Sequence, residues 1–201
     1  MKSTTRFAAI TLVSFANYAS AQQTATQPTA PVAATAPTAT TAPTAPAVGE
    51  QAPEFTAAWA DASGTKIKPV TLSGLRGKVV VLAFYPLDRS SGCTIELNKF
   101  RDDYATLFGD GVVALPISID TLESHTSWAK EAHFPFSMIA DPKGELATKY
   151  GSFRPGAKYF SRTIFVIGKD GKIAYESMRF NVQAQDQWDT LAQEIKKAKG
   201  A

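Results

Sequence analysis

The chain is poor in the residues from which disulfide frameworks and metal sites are made. Its 201 residues include one cysteine and two histidines. A single cysteine cannot form a disulfide within the chain, so its thiol is inert, reactive or paired with another molecule. His125 and His133 lack a third ligand for a metal, and His125 is expected either on a helix surface or in a hydrogen bond. No glycine-rich phosphate-binding loop is present, and we expect neither a metal nor a cofactor.

Charge of one sign and long apolar runs are also scarce. The formal net charge is +3, and Lys2 and Arg6 supply two of those charges. The rest of the chain is close to neutral, which excludes the strongly basic surface that attracts nucleic acid. The longest apolar stretch near the start, residues 7–19, is shorter than the roughly 20 residues that a membrane-spanning helix needs. We therefore expect no nucleic-acid partner and no membrane span.

The first 21 residues have the organisation of a secretory signal peptide. Lys2 and Arg6 precede the apolar stretch, and Ala19-Ser20-Ala21 offers small residues for cleavage before Gln22. This pattern predicts an exported protein. The short signal and its small-residue cleavage site favour a bacterial periplasm as the destination.

Residues 22–48, which follow the cleavage site, contain only Gln, Thr, Ala, Pro and Val. Such an uncharged, proline-rich composition cannot form a packed core and predicts a disordered linker. A Thr/Pro-rich stalk that carries O-linked sugar is the alternative. Residues 49–201 have the length of one folded domain.

The domain alternates between apolar runs of strand length and segments with helical spacing. The run 78–85 is typical of a central buried strand, and the helical segment after it predicts that 111–119 is its parallel neighbour. Asp170-Gly171 predicts a hairpin between the last two strands. The alternation predicts a three-layer α/β fold of thioredoxin-like type, with a central mixed sheet flanked by helices. Strands are expected at 55–60, 66–72, 78–85, 111–119, 136–140, 159–167 and 172–178, and helices at 94–108, 121–131, 142–150 and 184–199.

Cys93 lies where the central strand gives way, through a polar turn, to a helical pattern. Ser90, Gly92 and Thr94 surround it, whereas a structural cysteine in a core would need only apolar neighbours. A cysteine at a helix N-terminus or beside an arginine is stabilised as the nucleophilic thiolate. The context therefore predicts a reactive thiol.

Pro86, Ser90 and Cys93 resemble the active-site motif of the peroxiredoxins, Pro-x-x-x-Thr/Ser-x-x-Cys. The resemblance extends over nearly all of residues 49–200. Gly92-Cys93-Thr94 and Phe100-Arg101-Asp102 place it nearest to the bacterioferritin-comigratory, or Q-type, group. Further segments match in the order of the family, namely 48–55, 75–78, 119–125, 141–142, 150–151, 162–167 and 170–173.

The resemblance implies an antioxidant thiol-dependent peroxidase that reduces hydrogen peroxide or organic hydroperoxides, and the signal-peptide pattern adds the expectation that it is exported. Cys93 would attack the peroxide and become a sulfenic acid, while Arg162 would stabilise the thiolate and polarise the peroxide. Ser90 and backbone N–H groups would hold the two peroxide oxygens, and Pro86 would shield the pocket. Glu96 is expected either to orient Arg162 or to be a solvated carboxylate in the first helical turn.

The chain departs from many Q-type members at Asn98, where those proteins carry a resolving cysteine. The sulfenic acid of Cys93 would then be reduced by an external thiol, or would condense with Cys93 of a second copy in a homodimer. Thiol–disulfide oxidoreductases and copper-handling relatives need a cysteine pair, which this chain lacks. A non-catalytic thioredoxin-like binding module, or a passive thiol redox sensor, remains the alternative function.

Overall fold

The computed structural model describes residues 44–154 and 156–201. The predicted signal peptide, 1–21, and most of the predicted linker, 22–48, lie outside these residues. The described end of the linker belongs to the domain, because Pro46 is buried and Ala45 packs against core residues. The folded unit therefore begins a few residues before the predicted boundary at 49.

The described residues form nine strands, five α-helices and one 3₁₀ turn at Ser73–Leu75. The helices are α1 (Ser91–Asp102), α2 (Tyr104–Leu107), α3 (Leu122–Ala132), α4 (Glu145–Lys149) and α5 (Gln185–Gly200). The strands are β1 (Thr56–Ala57), β2 (Trp59–Asp61), β3 (Gly64–Thr65), β4 (Val70–Thr71), β5 (Val79–Phe84), β6 (Val112–Ser118), β7 (Met138–Ala140), β8 (Thr163–Ile167) and β9 (Ile173–Ser177).

Seven strands form the central sheet in the order β3-β2-β7-β6-β5-β8-β9, and β1 pairs with β4 beside it. β5 runs parallel to β6, which confirms the predicted parallel pair, and β6 runs parallel to β7. β8 is antiparallel to both β5 and β9, which confirms the predicted hairpin at 168–171. The sheet is therefore mixed, as predicted.

The two faces of β5 pack into two separate cores. Val79, Val81 and Ala83 face the core that also contains buried residues of α1, α3 and α5. Val80, Leu82 and Phe84 face the opposite core, which contains buried residues of α4 and β4. Successive side chains of a strand point to opposite faces, so the continuous apolar run of β5 is buried on both faces of the sheet. The predicted three-layer α/β arrangement is confirmed.

The structure corrects several predicted boundaries. The single helix expected over 94–108 begins at Ser91 and is interrupted at Asp103, which ends α1 and precedes α2. The two strands expected at 55–60 and 66–72 are each divided, so that β2 pairs with β3 and β1 pairs with β4. None of the helices in the described residues combines the length and hydrophobicity that a membrane crossing would require.

Strand β8 begins at Thr163 rather than at 159. Its partner β5 ends at Phe84, which lies opposite Thr163, so the ladder between these strands has no further residue to pair with. Arg162 consequently stands just outside the sheet, on the edge where β5 ends. This boundary places the arginine beside the loop that leads to Cys93.

Candidate active site

Three segments meet at the carboxyl end of β5. The loop 85–90 continues from β5, α1 begins directly after it, and the antiparallel register of β8 brings Arg162 to the same edge. The backbone carbonyl of Arg162 accepts a hydrogen bond from the N–H of Phe180 at 3.0 Å, which fixes the segment before β8. The side chains on this edge are therefore positioned by regular structure on two sides.

Cys93 is the third residue of α1 and its side chain is fully buried, with 0% of the residue exposed. Ser90 occupies the N-cap position in an extended conformation, and its carbonyl accepts the first helical hydrogen bond from Thr94 at 2.8 Å. The backbone N–H groups of Ser91, Gly92 and Cys93 lie in the first turn of α1, where an α-helix provides no internal acceptors. These N–H groups and the helix dipole favour an anion at the thiol.

Arg162 connects the thiol to a buried carboxyl group. Its Nη2 lies 3.3 Å from Sγ of Cys93, and its Nη1 forms an ion pair with Glu96. The arginine side chain is 16% exposed. Burial alone would lower the pKa of Arg162, but the Glu96 carboxylate and the Cys93 sulfur outweigh it and raise that pKa. A permanently charged guanidinium therefore faces the sulfur.

Glu96 is buried one turn after Cys93, so its predicted alternative as a solvated carboxylate is wrong. Its Oε2 pairs with Arg162, while Oε1 has no hydrogen-bond partner among the described residues. Burial raises the pKa of Glu96 from 4.5 to about 7, and the attraction of Arg162 opposes that rise. The ion pair of Glu96 with Arg162 is compatible with the other expected role, which is to orient that arginine.

Gly92 makes the approach of Arg162 to the sulfur possible. A Cβ atom at this position would lie 3.0 Å from Nη2 of Arg162, which is tighter than ordinary van der Waals contact. The sequence shows a glycine directly before Cys93 but gives no reason for it. The reason is a contact with a residue 70 positions along the chain.

Ser90 and Pro86 lie in the same loop and are half-buried. The Ser90 hydroxyl donates its proton to the carbonyl oxygen of Leu87 at 3.0 Å, rather than turning it toward the sulfur. The hydroxyl oxygen consequently keeps its lone pairs to accept a hydrogen bond from a ligand. Pro86 follows the last buried residue of the strand, Tyr85, and begins the loop.

A buried polar cluster beneath the loop was not expected from the sequence. Asp88 contacts the hydroxyl groups of Tyr85 and Ser124 and the imidazole of His125. His125 is fully buried, so its predicted placement on a helix surface is wrong and its hydrogen-bonding alternative is confirmed. A histidine four residues into a helix carries no local signal that distinguishes these two positions.

The arrangement favours attack by a thiolate on a small electrophile. The Arg162 guanidinium and the N–H groups of the first turn of α1 lie next to the sulfur. They can stabilise negative charge first on the thiolate and then on the leaving group. Donors that are held in place before reaction stabilise such developing charge without reorganisation. A molecule with two adjacent oxygens, one attacked and one leaving, fits this distribution of donors.

Comparison with known proteins agrees with this geometry. Residues 48–176 match the AhpC/TSA family model. The chain is 34% identical over 151 residues to alkyl hydroperoxide reductase E of Mycobacterium tuberculosis, covering 72% of this chain and 95% of that protein. It is 29% identical over 142 residues to peroxiredoxin Bcp of Bacillus subtilis, covering 68% and 87%.

Solved structures show the same relationship. The crystal structure of peroxidoxin BcpB from Mycobacterium tuberculosis aligns with a TM-score of 0.63 and 28% identity, covering 75% of this chain and 96% of that chain. The structure of a Xylella fastidiosa PrxQ mutant aligns with a TM-score of 0.66 at 20% identity, which supports the fold. The chain belongs to the AhpC/TSA family, as a peroxiredoxin related to the Bcp and Q-type thiol peroxidases.

Proposed function

We propose that this peroxiredoxin is exported and reduces peroxides through Cys93 alone, with an external thiol as reductant. The observation that carries the proposal is the 3.3 Å contact between Arg162 Nη2 and Cys93 Sγ within the first turn of α1. Membership of the family supports a peroxide substrate and a thiol reductant. The residue roles follow from the chemistry of the site.

In the first half-reaction, the Cys93 thiolate attacks one oxygen of the peroxide. The S–O bond forms as the O–O bond breaks, giving a sulfenic acid and an alcohol or water once the leaving oxygen takes up a proton. Arg162 and the N–H groups of the first turn stabilise the negative charge, which moves from sulfur to the leaving oxygen. Ser90 accepts a hydrogen bond from the peroxide O–H, and Pro86 shields the site from bulk water.

The proposed substrates are hydrogen peroxide and organic hydroperoxides. The name of the Mycobacterium tuberculosis relative, alkyl hydroperoxide reductase E, supports the organic class. The donors in the site address only the O–O group, which both classes share. Kinetic preference between them would depend on the surroundings of Pro86 and Ser90.

In the second half-reaction, the sulfenic acid is returned to the thiol by two molecules of an external thiol. The first forms a mixed disulfide with Cys93 and releases water, and the second displaces Cys93 and leaves as the oxidised disulfide. Cys93 is the single cysteine of the sequence. A disulfide between two Cys93 residues would require two fully buried sulfurs to approach within about 2 Å, which favours a small external thiol over a second copy.

The first test concerns Cys93. Reduced wild-type protein should consume hydrogen peroxide or cumene hydroperoxide faster than a free thiol by at least about 1,000-fold, the range that an arrangement of preorganised donors supplies. Stopped-flow tryptophan fluorescence and trapping of the sulfenic acid measure this step. Cys93→Ser should abolish it, and Arg162→Lys, which keeps the charge but loses the second donor nitrogen, should slow it by about 100-fold.

The outcomes of this test separate the functions. Peroxide consumption that persists in Cys93→Ser would contradict the mechanism. Rapid oxidation of Cys93 that no small thiol can reverse would indicate a passive redox sensor. Catalytic turnover with dithiothreitol supports the one-cysteine peroxidase.

A second test separates stability from reactivity at Gly92. Alanine is favoured over glycine in a helix by up to about 1 kcal/mol, so Gly92→Ala should keep or raise the free energy of unfolding. The new methyl group should displace the Arg162 guanidinium and slow peroxide reduction by about 10- to 100-fold. Ser91→Ala, at the exposed preceding position, is the matched control. A wild-type rate in Gly92→Ala would show that the reaction does not depend on this position of Arg162.

A third test uses the pH dependence of stability. The folded state raises the pKa of Glu96 from 4.5 to about 7, so the stabilising contribution of its neutral form is complete below pH 4.5 and is lost as the pH rises through about 7. Glu96→Gln removes this titration. The free energy of unfolding of wild type minus that of Glu96→Gln should therefore fall by about 3 kcal/mol between those pH values.

Urea unfolding at a series of pH values measures this difference. Glu123→Gln is the control of opposite sign, because hydrogen bonds from its own backbone N–H and the Thr121 side chain lower the pKa of Glu123. A difference for Glu96→Gln that rises with pH would mean that the attraction of Arg162 outweighs the burial of Glu96.

A fourth test addresses export. Residues 1–48 fused to an alkaline phosphatase that lacks its own signal should give active enzyme in a Gram-negative host, with the mature product beginning at Gln22. Ala21→Phe should block cleavage, because the bulky side chain replaces a small residue at the cleavage site. Activity confined to the cytoplasmic fraction would contradict the proposed export.

A further inference from the structure

The loop before α1 is tied to the rest of the domain through Asp88. The side chain of Asp88 is 3% exposed. Its Oδ1 accepts a hydrogen bond from the Tyr85 hydroxyl at 2.6 Å, and its Oδ2 accepts one from the Ser124 hydroxyl at 2.6 Å. Its backbone N–H donates to the carboxylate of Asp120 at 2.8 Å. One residue thus joins the loop to the end of β5, to α3 and to the turn after β6.

His125 makes the innermost contact with this carboxylate. Its Nδ1 lies 3.0 Å from Oδ2 of Asp88, and its Nε2 lies 3.2 Å from the carbonyl oxygen of Ile139 in β7. Both partners can only accept hydrogen bonds. A neutral imidazole has one N–H and one lone pair, so one of these two contacts would be repulsive. The imidazolium, with two N–H groups, satisfies both.

The other groups around His125 are consistent with a cation there. Burial, and then the nearby Asp88 carboxylate, raise the pKa of Tyr85 well above its usual value, so its hydroxyl remains a neutral donor. Burial alone would raise the pKa of Asp88, but hydrogen bonds from His125, Ser124 and Tyr85 lower it below the usual value. Asp120 adds a second carboxylate, which accepts a hydrogen bond from the backbone N–H of Asp88. The cluster therefore contains buried negative charge that needs a partner.

Arg89 covers the cluster from outside. Its backbone has a φ of 60°, in the left-handed region that a non-glycine residue adopts at a cost. Its guanidinium pairs with both carboxylate oxygens of Glu131, each at 3.1 Å, and donates to the hydroxyl of Ser124 at 3.3 Å. Because Ser124 also donates to Asp88, the outer ion pair and the inner contact share one side chain. The loop is held to α3 at two consecutive residues.

We propose that His125, held as an imidazolium, is a positioning residue for the reaction of Cys93, acting through its ion pair with Asp88. The pair fixes the loop 86–90 in the arrangement that presents Ser90 and Cys93 to a peroxide. This inference rests on the proposed function. His125 contacts neither the sulfur nor the peroxide.

The burial of Cys93 gives this role a distinctive consequence. A peroxide is smaller than a thiol reductant, and the sulfur is 0% exposed. A thiol can reach the oxidised sulfur only if the loop or the first turn of α1 moves, and movement of the loop would separate the buried Asp88–His125 pair at a large energetic cost. The pair should therefore accelerate the peroxide step and retard the thiol step.

The charge of His125 is measured first, by ¹⁵N NMR of histidine-labelled protein. The chain has two histidines, so His133→Gln leaves only the ring signals of His125. Both ring nitrogens should carry protons at neutral pH in the wild type, and Asp88→Asn should convert the ring to a neutral form. A neutral tautomer in the wild-type protein would overturn the inference. This measurement needs no enzymatic activity.

The positioning role is measured by separating the two half-reactions. His125→Gln should slow the single-turnover reaction with hydrogen peroxide by about tenfold and should speed reduction of the sulfenic acid by dithiothreitol several-fold. His133→Gln, at the exposed end of the same helix, should change neither rate. Asp88→Asn repeats the test from the loop side, so the comparison does not depend on the folding of one variant.

Opposite changes in the two rates support the proposal, because a general loss of structure would not slow one half-reaction and speed the other. Two rates that fall together, or that do not change, would overturn it. A wild-type protein that does not react with peroxide would contradict the proposed function of Cys93 instead, and the NMR result would still establish the charge of His125.

Discussion

The site depends on a half-buried arginine, Arg162, whose guanidinium contacts two acidic groups. Arg162 faces both the Cys93 sulfur and the Glu96 carboxyl group, and each of these groups is fully buried. With the pKa of Glu96 raised to about 7, the carboxyl group is partly protonated near neutral pH. When Glu96 is neutral, the Cys93 sulfur no longer shares the guanidinium with a carboxylate.

Strand register brings these charges together. Phe84 pairs with Thr163 at the last rung of the ladder between β5 and β8, so the residue after one strand and the residue before the other share an edge. Phe180 then holds the Arg162 backbone, while the absence of a side chain at Gly92 leaves room for the guanidinium. A shift of one residue in this register would turn the β8 side chains to the opposite face and remove the arginine from the sulfur.

The sequence predicts those parts of this arrangement that have a local or periodic signal. The buried strand, the parallel crossover, the hairpin at Asp170-Gly171 and a helix directly after Cys93 follow from periodicity and turn chemistry. The role of Arg162 follows from the family resemblance. The partners of Gly92 and His125 could not be predicted, because the contacts join residues distant in sequence. The same limit applies to Glu96, whose burial depends on how α1 packs and not on its neighbours in the chain.

Features that are unfavourable in isolation collect at this edge and are supported by the rest of the domain. Glu96 has an unpartnered oxygen among the described residues, Arg89 adopts a left-handed conformation, and Asp88 is a buried carboxylate. The burial of the two carboxyl groups and the left-handed backbone of Arg89 each cost free energy. They are attached to β5, whose two faces pack into separate cores, so local loosening at the edge need not spread into the sheet. A rigid strand with a strained loop at its end can hold a reactive thiol out of solvent and still allow that loop to move.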